Sequence, residues 1–109
     1  EAKAKDSKTP LYFAAQKGAA NCVKLLVDHV NCLDEADNAG STALMAACQA
    51  GHDAVIKQLL GRGANTEERE SHGRTALHLA VAGGHLKACQ LLLSHGAQIN
   101  AAAHDGTTP

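Results

Sequence analysis

The chain has 109 residues, of which 45% are hydrophobic, 19% are charged and 2% are aromatic, and its formal net charge is −1. This balance is typical of a folded domain rather than a disordered chain. It lacks the basic field that binding to nucleic-acid phosphates requires, and it contains no run of about 18 apolar residues that would span a membrane. The scarcity of aromatic side chains argues against a β-sandwich core, a methyl-lysine cage and a base-stacking platform.

The cysteines show neither a C-x-x-C pair nor zinc-finger spacing. They are Cys22, Cys32, Cys48 and Cys89. Four cysteines allow two disulfides, but we expect four reduced and mostly buried thiols, since the chain also lacks an N-x-S/T acceptor. The pattern favours a reducing environment, so we predict a cytoplasmic and/or nuclear location. We predict no metal and no cofactor.

One stretch recurs along the chain at an interval of 33 residues. Residues 73–85 read GRTALHLAVAGGH, residues 40–52 read GSTALMAACQAGH, and residues 9–11 begin the same pattern one interval earlier. Residues 37–69 and 70–102 match at 11 of 33 positions without a gap, which indicates a solenoid built from one repeated unit.

In chain order, the period gives a flank, three full units and the opening of a fourth. They are residues 1–3, 4–36, 37–69, 70–102 and 103–109. Because the chain begins with Glu1 and its fourth unit lacks helices, we expect an excised piece of a longer array, with an apolar face left uncovered after residue 102.

Each full unit predicts a helical hairpin. A threonine caps a first helix of about eight residues, and Pro10 occupies the first helical position in the first unit. In the third unit, Gly83-Gly84 ends this helix with a left-handed residue, and a second helix runs from His85 to about His95. Its predicted apolar stripe is Leu86, Cys89, Leu92 and Leu93. One hairpin cannot bury both faces, so neighbouring units must stack, and we predict an all-α solenoid.

Two histidines of the repeated stretch, His78 and His85, lie seven residues apart and would share one side of a single helix. If the two histidines formed a metal site, the protein would retain stoichiometric metal after dialysis. We expect scaffold instead, because His52 occupies the slot of His85, and a metal site needs its ligands together rather than one in each unit. Motifs for nucleotide binding, zinc hydrolysis or a nucleophilic serine are absent from the sequence, so we predict no enzymatic activity.

These motifs resemble the ankyrin repeat, whose pattern includes T-P-L-H-x-A-A, then G-H, L-L and G-A. The residues that carry the resemblance are TPLYFAA, TALMAA and TALHLA, Gly-His at 51–52 and 84–85, Leu-Leu at 59–60 and 92–93, and Gly-Ala at 63–64 and 96–97. The resemblance covers residues 4–102. It implies stacked helix-turn-helix units with β-turn or hairpin connections, and a non-catalytic module that binds another protein.

The resemblance also implies where a partner binds: on the concave face, formed by the turn tips and the inner helices. Carried onto this chain, the tip positions are Lys8, Asn38, Ser41, Ser71, His72, Arg74, His104 and Asp105, and Arg69 is added as the residue that ends the second unit. The inner-helix positions are Phe13, Lys17 and Gln49. We expect a monomeric fragment whose partner is a protein, with no nucleic acid and no direct membrane contact.

The densest charge lies at residues 67–74, EERESHGR, where six of eight residues are ionisable. One interpretation is a protruding finger whose Arg69, His72 and Arg74 pair with acidic or hydrogen-bonding groups of a partner. The other is a solvated turn whose charges compensate one another. Tyr12 and Phe13 offer a similar choice between an interface anchor and packing between units.

Two further hypotheses come from the resemblance. Leu92 with Ile99-Asn100 is similar to the site that asparaginyl hydroxylases modify in ankyrin repeats, although Gln98 stands where an acidic residue is usual. The alternative to a binding module is an internal structural or spacer segment of a longer array, in a channel, enzyme or adaptor.

Overall fold

The computed structural model describes residues 9–29 and 33–98, and these residues form six helices without a strand. The helices are α1 (Pro10–Lys17), α2 (Ala20–Val27), α3 (Ala43–Ala50), α4 (Asp53–Gly61), α5 (Ala76–Ala82) and α6 (Leu86–Ser94). The all-α solenoid is confirmed. Four of the predicted site residues lie outside the described residues: Lys8, Asn100, His104 and Asp105.

The helices stack in two rows. The inner row is α1, α3 and α5, and the outer row is α2, α4 and α6, with each helix packed on its neighbours in its own row and on its partner in the hairpin. Small residues allow this close stacking: in α3, Ala47 and Cys48 are fully buried. Leu44, Ile56 and Leu59 fill the centre, and the middle hairpin, covered on both sides, supplies more buried hydrophobic residues than either neighbouring hairpin.

The inner helices begin at threonines, as predicted. The hydroxyl oxygens of Thr9 and Thr42 accept the backbone N–H of the residue three positions on, at 3.1 and 3.3 Å. At Thr75 the backbone N–H itself donates to Nδ1 of His78 at 3.1 Å. His78 is buried, and because its Nδ1 accepts this bond, a neutral ring carries its proton on Nε2. His78 therefore serves as part of a helix cap.

Glycines in the left-handed conformation follow the inner helices. Gly18 and Gly51 have φ of 73° and 76°, and each caps its helix with a backbone N–H. In the third hairpin, Gly83 is right-handed and Gly84 takes the positive φ of 70°. Gly84 shares the register of the other two, so the left-handed residue keeps the 33-residue period.

The exposed large hydrophobic side chains lie at the two ends of the stack. Phe13 is 41% exposed, while the residues one and two periods later, Ala46 and Leu79, are 5% exposed. Val81 is 46% exposed, while Cys48, one period earlier, is fully buried. The same slot is covered wherever a neighbouring hairpin is present and open where the described residues supply none. The other members of this set are Leu25, Leu86 and Leu93.

The predicted apolar stripe of α6 is therefore only partly buried. Leu92 is fully buried and Cys89 is half-buried, but Leu86 and Leu93 are 71% and 43% exposed. The stripe predicted from the sequence therefore does not lie wholly in the core, since Leu86 and Leu93 are exposed. Leu60, one period before Leu93, is 4% exposed because α6 packs over α4, and no described helix packs over α6 in the same way.

Candidate functional site

The connections before α3 and α5 are tight turns with the same backbone pattern. In the first, Gly40 donates its N–H to the Asp37 carbonyl at 3.0 Å, and in the second Gly73 donates to the Glu70 carbonyl at 2.8 Å. Both glycines have φ near 80°, a conformation that favours glycine over other residues. The predicted tip residues 38–41 and 71–74 therefore lie in two equivalent turns that project before the inner helices.

An acidic residue closes each turn. Oδ1 of Asp37 accepts the N–H groups of Ala39 and Ser41, both at 2.9 Å. One period later, Oε1 of Glu70 accepts the N–H groups of His72 and Arg74, at 2.7 and 3.0 Å. The acid bridges two backbone donors that would otherwise need water, so these carboxylates fix the turn conformation.

Glu70 also binds side chains through its second oxygen. Oε2 accepts from Arg74 Nη2 at 2.9 Å and lies 3.3 Å from Nδ1 of His72. The residue is only 7% exposed. Burial opposes its ionisation, but the bonds from the side chain and backbone of Arg74 and from His72 outweigh burial and lower the Glu70 pKa to about 2. The carboxylate is ionised at any physiological pH.

The two turns are joined to each other. Ser71 donates its N–H to the carbonyl of Ala39 at 2.7 Å. A Cβ added at Gly40 would lie 3.0 Å from the Cα of Glu70, so the backbones approach closely. Asn38, Ala39, Ser71 and His72 are exposed beside this contact. The turns therefore form one fixed surface, which we call the tip surface (residues 38–41 and 69–74).

The structure divides the predicted finger cations into two groups. Arg74 is held by Glu70, and Nη1 of Arg69 donates to the Gly73 carbonyl at 3.0 Å, so both guanidinium groups are used within the turn. The side chain of His72 is 75% exposed. Arg69 is exposed as well. Arg74 thus holds the shape of the turn, while His72 and Arg69 reach solvent.

The inner-helix positions predicted to bind lie on one solvent-facing row with their equivalents. Gln16 and Lys17 of α1, and Gln49 of α3, are exposed. Phe13 is also exposed, but its slot points toward the end of the stack, as its buried equivalents show. Tyr12 is buried and meets the Phe13 ring edge to face at 6.3 Å. The structure therefore places Phe13 apart from the tip surface.

Two histidines join consecutive hairpins behind this row. Nε2 of His52 lies 3.0 Å from the Gln16 carbonyl, and Nε2 of His85 lies 3.0 Å from the Gln49 carbonyl. A carbonyl oxygen can only accept, so each ring donates from Nε2. The rings occupy the space that a side chain would need at Gly18 and Gly51, where an added Cβ would approach within 2.5 Å. His85 is thus a structural residue that repeats.

The described ranges contain reactive side chains outside the tip surface, among them three cysteines. No group of three or more His, Cys, Asp or Glu side chains there is arranged to hold a metal ion. Cys22, Cys48 and Cys89 are free thiols, and Cys32 lies outside the described residues. Cys48 is buried and Cys89 is half-buried, but Cys22 is exposed, so the expectation of a buried thiol was wrong for Cys22. Burial raises the pKa of Cys48 to about 12 and also raises that of Cys89. No helix among residues 9–29 and 33–98 is long and apolar enough to cross a membrane.

The chain matches one protein-family model. The model of the family described as "Ankyrin repeats (3 copies)" matches residues 1–70 and, in a second placement, residues 34–103. A search of curated proteins found no match. The two placements overlap and together cover nearly the whole chain, in keeping with its stacked hairpins.

Proposed function

Because the chain belongs to the ankyrin-repeat family, whose members are generally protein–protein interaction modules and typically non-catalytic, we propose that it binds a partner protein through its tip surface and inner helices. The partner lies across the exposed residues of both turns and along the row that includes Lys17 and Gln49. The chain itself carries out no chemistry and needs no cofactor.

The observation that carries this proposal is the fixed geometry of the tip surface. Asp37 and Glu70 hold the two turns, and the bond from Ser71 to Ala39 joins them at 2.7 Å. A surface that is ordered before binding loses less conformational entropy when the partner arrives. The order of the two turns therefore supports a role in recognition.

The chemistry of the tip surface favours a partner with hydrogen-bond acceptors or acidic groups. Both acids of the turns are occupied by their own backbone, while His72 and Arg69 reach solvent. Arg69 would add a bidentate or shared bond to a partner carboxylate or carbonyl. His72 would add a donor whose strength rises when its ring is protonated.

An affinity pull-down from cell lysate tests this proposal. Arg69→Ala with His72→Ala removes the two exposed side chains, together with their contacts to Gly73 and Glu70, and leaves the Glu70–Arg74 pair in place. Lys87→Ala with His95→Ala is the matched control, because it removes one cation and one imidazole from exposed positions on and just after the outer helix α6. We expect a partner that the tip variant loses and the control retains. Equal capture by both variants would contradict the assignment of the site.

The alternative is a spacer segment inside a longer array, which the two apolar ends of the stack favour. Phe13 at one end and Val81 at the other are exposed, while the residues at the same slots of the middle hairpin, Ala46 and Cys48, are buried. Under this alternative the chain supports other units and the tip variant changes no interaction. Unchanged pull-downs for every surface variant, with unchanged unfolding, would favour it.

The remaining proposals concern where the protein acts and how it is modified. The free thiols support a reducing compartment, cytoplasmic and/or nuclear. We also propose that the chain is monomeric and contacts neither nucleic acid nor the membrane directly. Hydroxylation of Asn100 predicts a mass increase of one oxygen on its peptide in protein isolated from cells, and an unshifted peptide at normal oxygen would refute it.

A further inference from the structure

We propose that the groove between the outer helices α2 and α4, on the side away from the inner row, is a second binding site that accepts an acidic peptide segment. The groove has a volume of about 360 Å³ and is lined by Lys24, Val27, Lys57, Gln58, Gly61 and Arg62. None of these residues belongs to the tip surface. The site is therefore independent of the proposed function.

The charge of the groove is positive although the chain as a whole is nearly neutral. Arg62 forms an ion pair with Asp28, and both side chains are 51% exposed. Lys24 and Lys57 have no carboxylate partner among the described residues. Three cations against one carboxylate leave two positive charges at the groove. Val27 and the lysine stems supply an apolar floor between them.

Gln58 is a polar residue in an apolar slot. The residues one period before and after it are Leu25 and Leu91, and Leu91 packs against the core. Oε1 of Gln58 is buried and has no hydrogen-bond partner in the described part of the chain. A buried acceptor without a donor lowers stability, and a leucine would fit the repeat better. Residues that break a local rule in this way are expected at functional sites.

A peptide satisfies these groups together. Its Asp or Glu carboxylates would pair with the ammonium groups of Lys24 and Lys57, and a backbone N–H would donate to Oε1 of Gln58. A phosphate group or a lipid headgroup offers mainly acceptors, and the single guanidinium, on Arg62, is already paired with Asp28. The lining contains no aromatic ring on which a nucleic-acid base would stack.

The test uses a capped hexapeptide in which Glu alternates with Ala, with a Gln-for-Glu peptide as its control. Titration into the ¹⁵N-labelled chain should shift the amide signals of Lys24, Lys57 and Gln58 and leave those of the tip surface in place. Lys24→Ala with Lys57→Ala should weaken binding about tenfold. Lys57→Ala alone should weaken it about threefold, and Lys87→Ala, a matched exposed lysine on α6, should have no effect.

Gln58→Leu separates a binding role from a merely structural one. It should raise the midpoint of urea unfolding, since leucine occupies this slot in the other hairpins. At the same time it should weaken binding of the Glu peptide about threefold. Equal binding by the Lys57→Ala and Lys87→Ala variants, or equal binding of the Glu and Gln peptides, would overturn the proposal. So would groove signals that respond to inorganic phosphate or to phosphatidylserine vesicles but not to the Glu peptide.

Discussion

Replacing Glu70 by Gln removes the charge that holds the second turn while keeping the size and one acceptor of the side chain. The Glu70 pKa falls from 4.5 to about 2 on folding. At about 1.4 kcal/mol per pKa unit, the shift corresponds to about 3 kcal/mol of stability at neutral pH. The amide still accepts backbone N–H bonds, so we expect Glu70→Gln to reduce the free energy of unfolding by about 1–3 kcal/mol at pH 7.

The pH dependence gives the sharper test. Because the folded pKa lies below the unfolded value, the stabilisation from Glu70 is fully present above pH 4.5 and is lost as the pH falls toward 2. Urea unfolding followed by circular dichroism at pH 7 and at steps down to about pH 2.5 measures the difference. Glu68→Gln is the control, since Glu68 makes only a 3.3 Å side-chain bond. We expect it to change stability by less than about 0.5 kcal/mol.

Two outcomes would refute the reasoning about this turn. One is a difference between the Glu70→Gln variant and the original chain that stays the same size from pH 7 to pH 2.5, because the ionised carboxylate would then have no special role. The other is a loss at pH 7 no larger than that of the control. Either result would leave the tip surface without the charged clamp that fixes it.

Three further predictions test the joints between hairpins. His52→Ala should lose the bond to the preceding inner helix and cost about 1–2 kcal/mol in urea unfolding, whereas exposed His29→Ala should cost less than about 0.5 kcal/mol. The Cβ of Gly51→Ala would clash with the ring of His85, and alanine disfavours the φ of 76°, so this variant should be less stable by about 1–3 kcal/mol. The Cβ of the control Gly61→Ala meets no atom within 4 Å, so its thermal midpoint should not fall measurably. The thiol of Cys48, buried and with a pKa of about 12, should stay unmodified by iodoacetamide in mass spectra until urea unfolds the chain.

The repeated architecture could be predicted from the sequence because it depends on local signals that recur. Thr9 and Thr42 begin helices, and Gly18 and Gly51 end them, at positions that the 33-residue period alone identifies. Each signal acts within a few residues, so no knowledge of distant contacts was needed.

The details of the candidate sites depend on contacts that periodicity does not specify. The charge-dense finger suggested three cations for a partner, but Arg74 is held by Glu70, which depends on the reach of two side chains. The sequence signal for the carboxylate that holds each turn was the acidic residue that recurs at positions 37 and 70. Gln58, between two leucines of the same slot, was the signal for the outer groove. The exposure of Leu86 depends on which hairpins surround it, which composition cannot show.

Site-specific photo-crosslinking in cells tests the central claim most directly. A photoreactive amino acid is placed at Ser71 on the tip surface, at Gln49 on the inner row, and at Gln90 on the outer helix α6, all exposed positions. The account predicts that the first two positions give an adduct with the same partner protein and that Gln90 gives none. An adduct from Gln90 alone, with Ser71 and Gln49 silent, would contradict it.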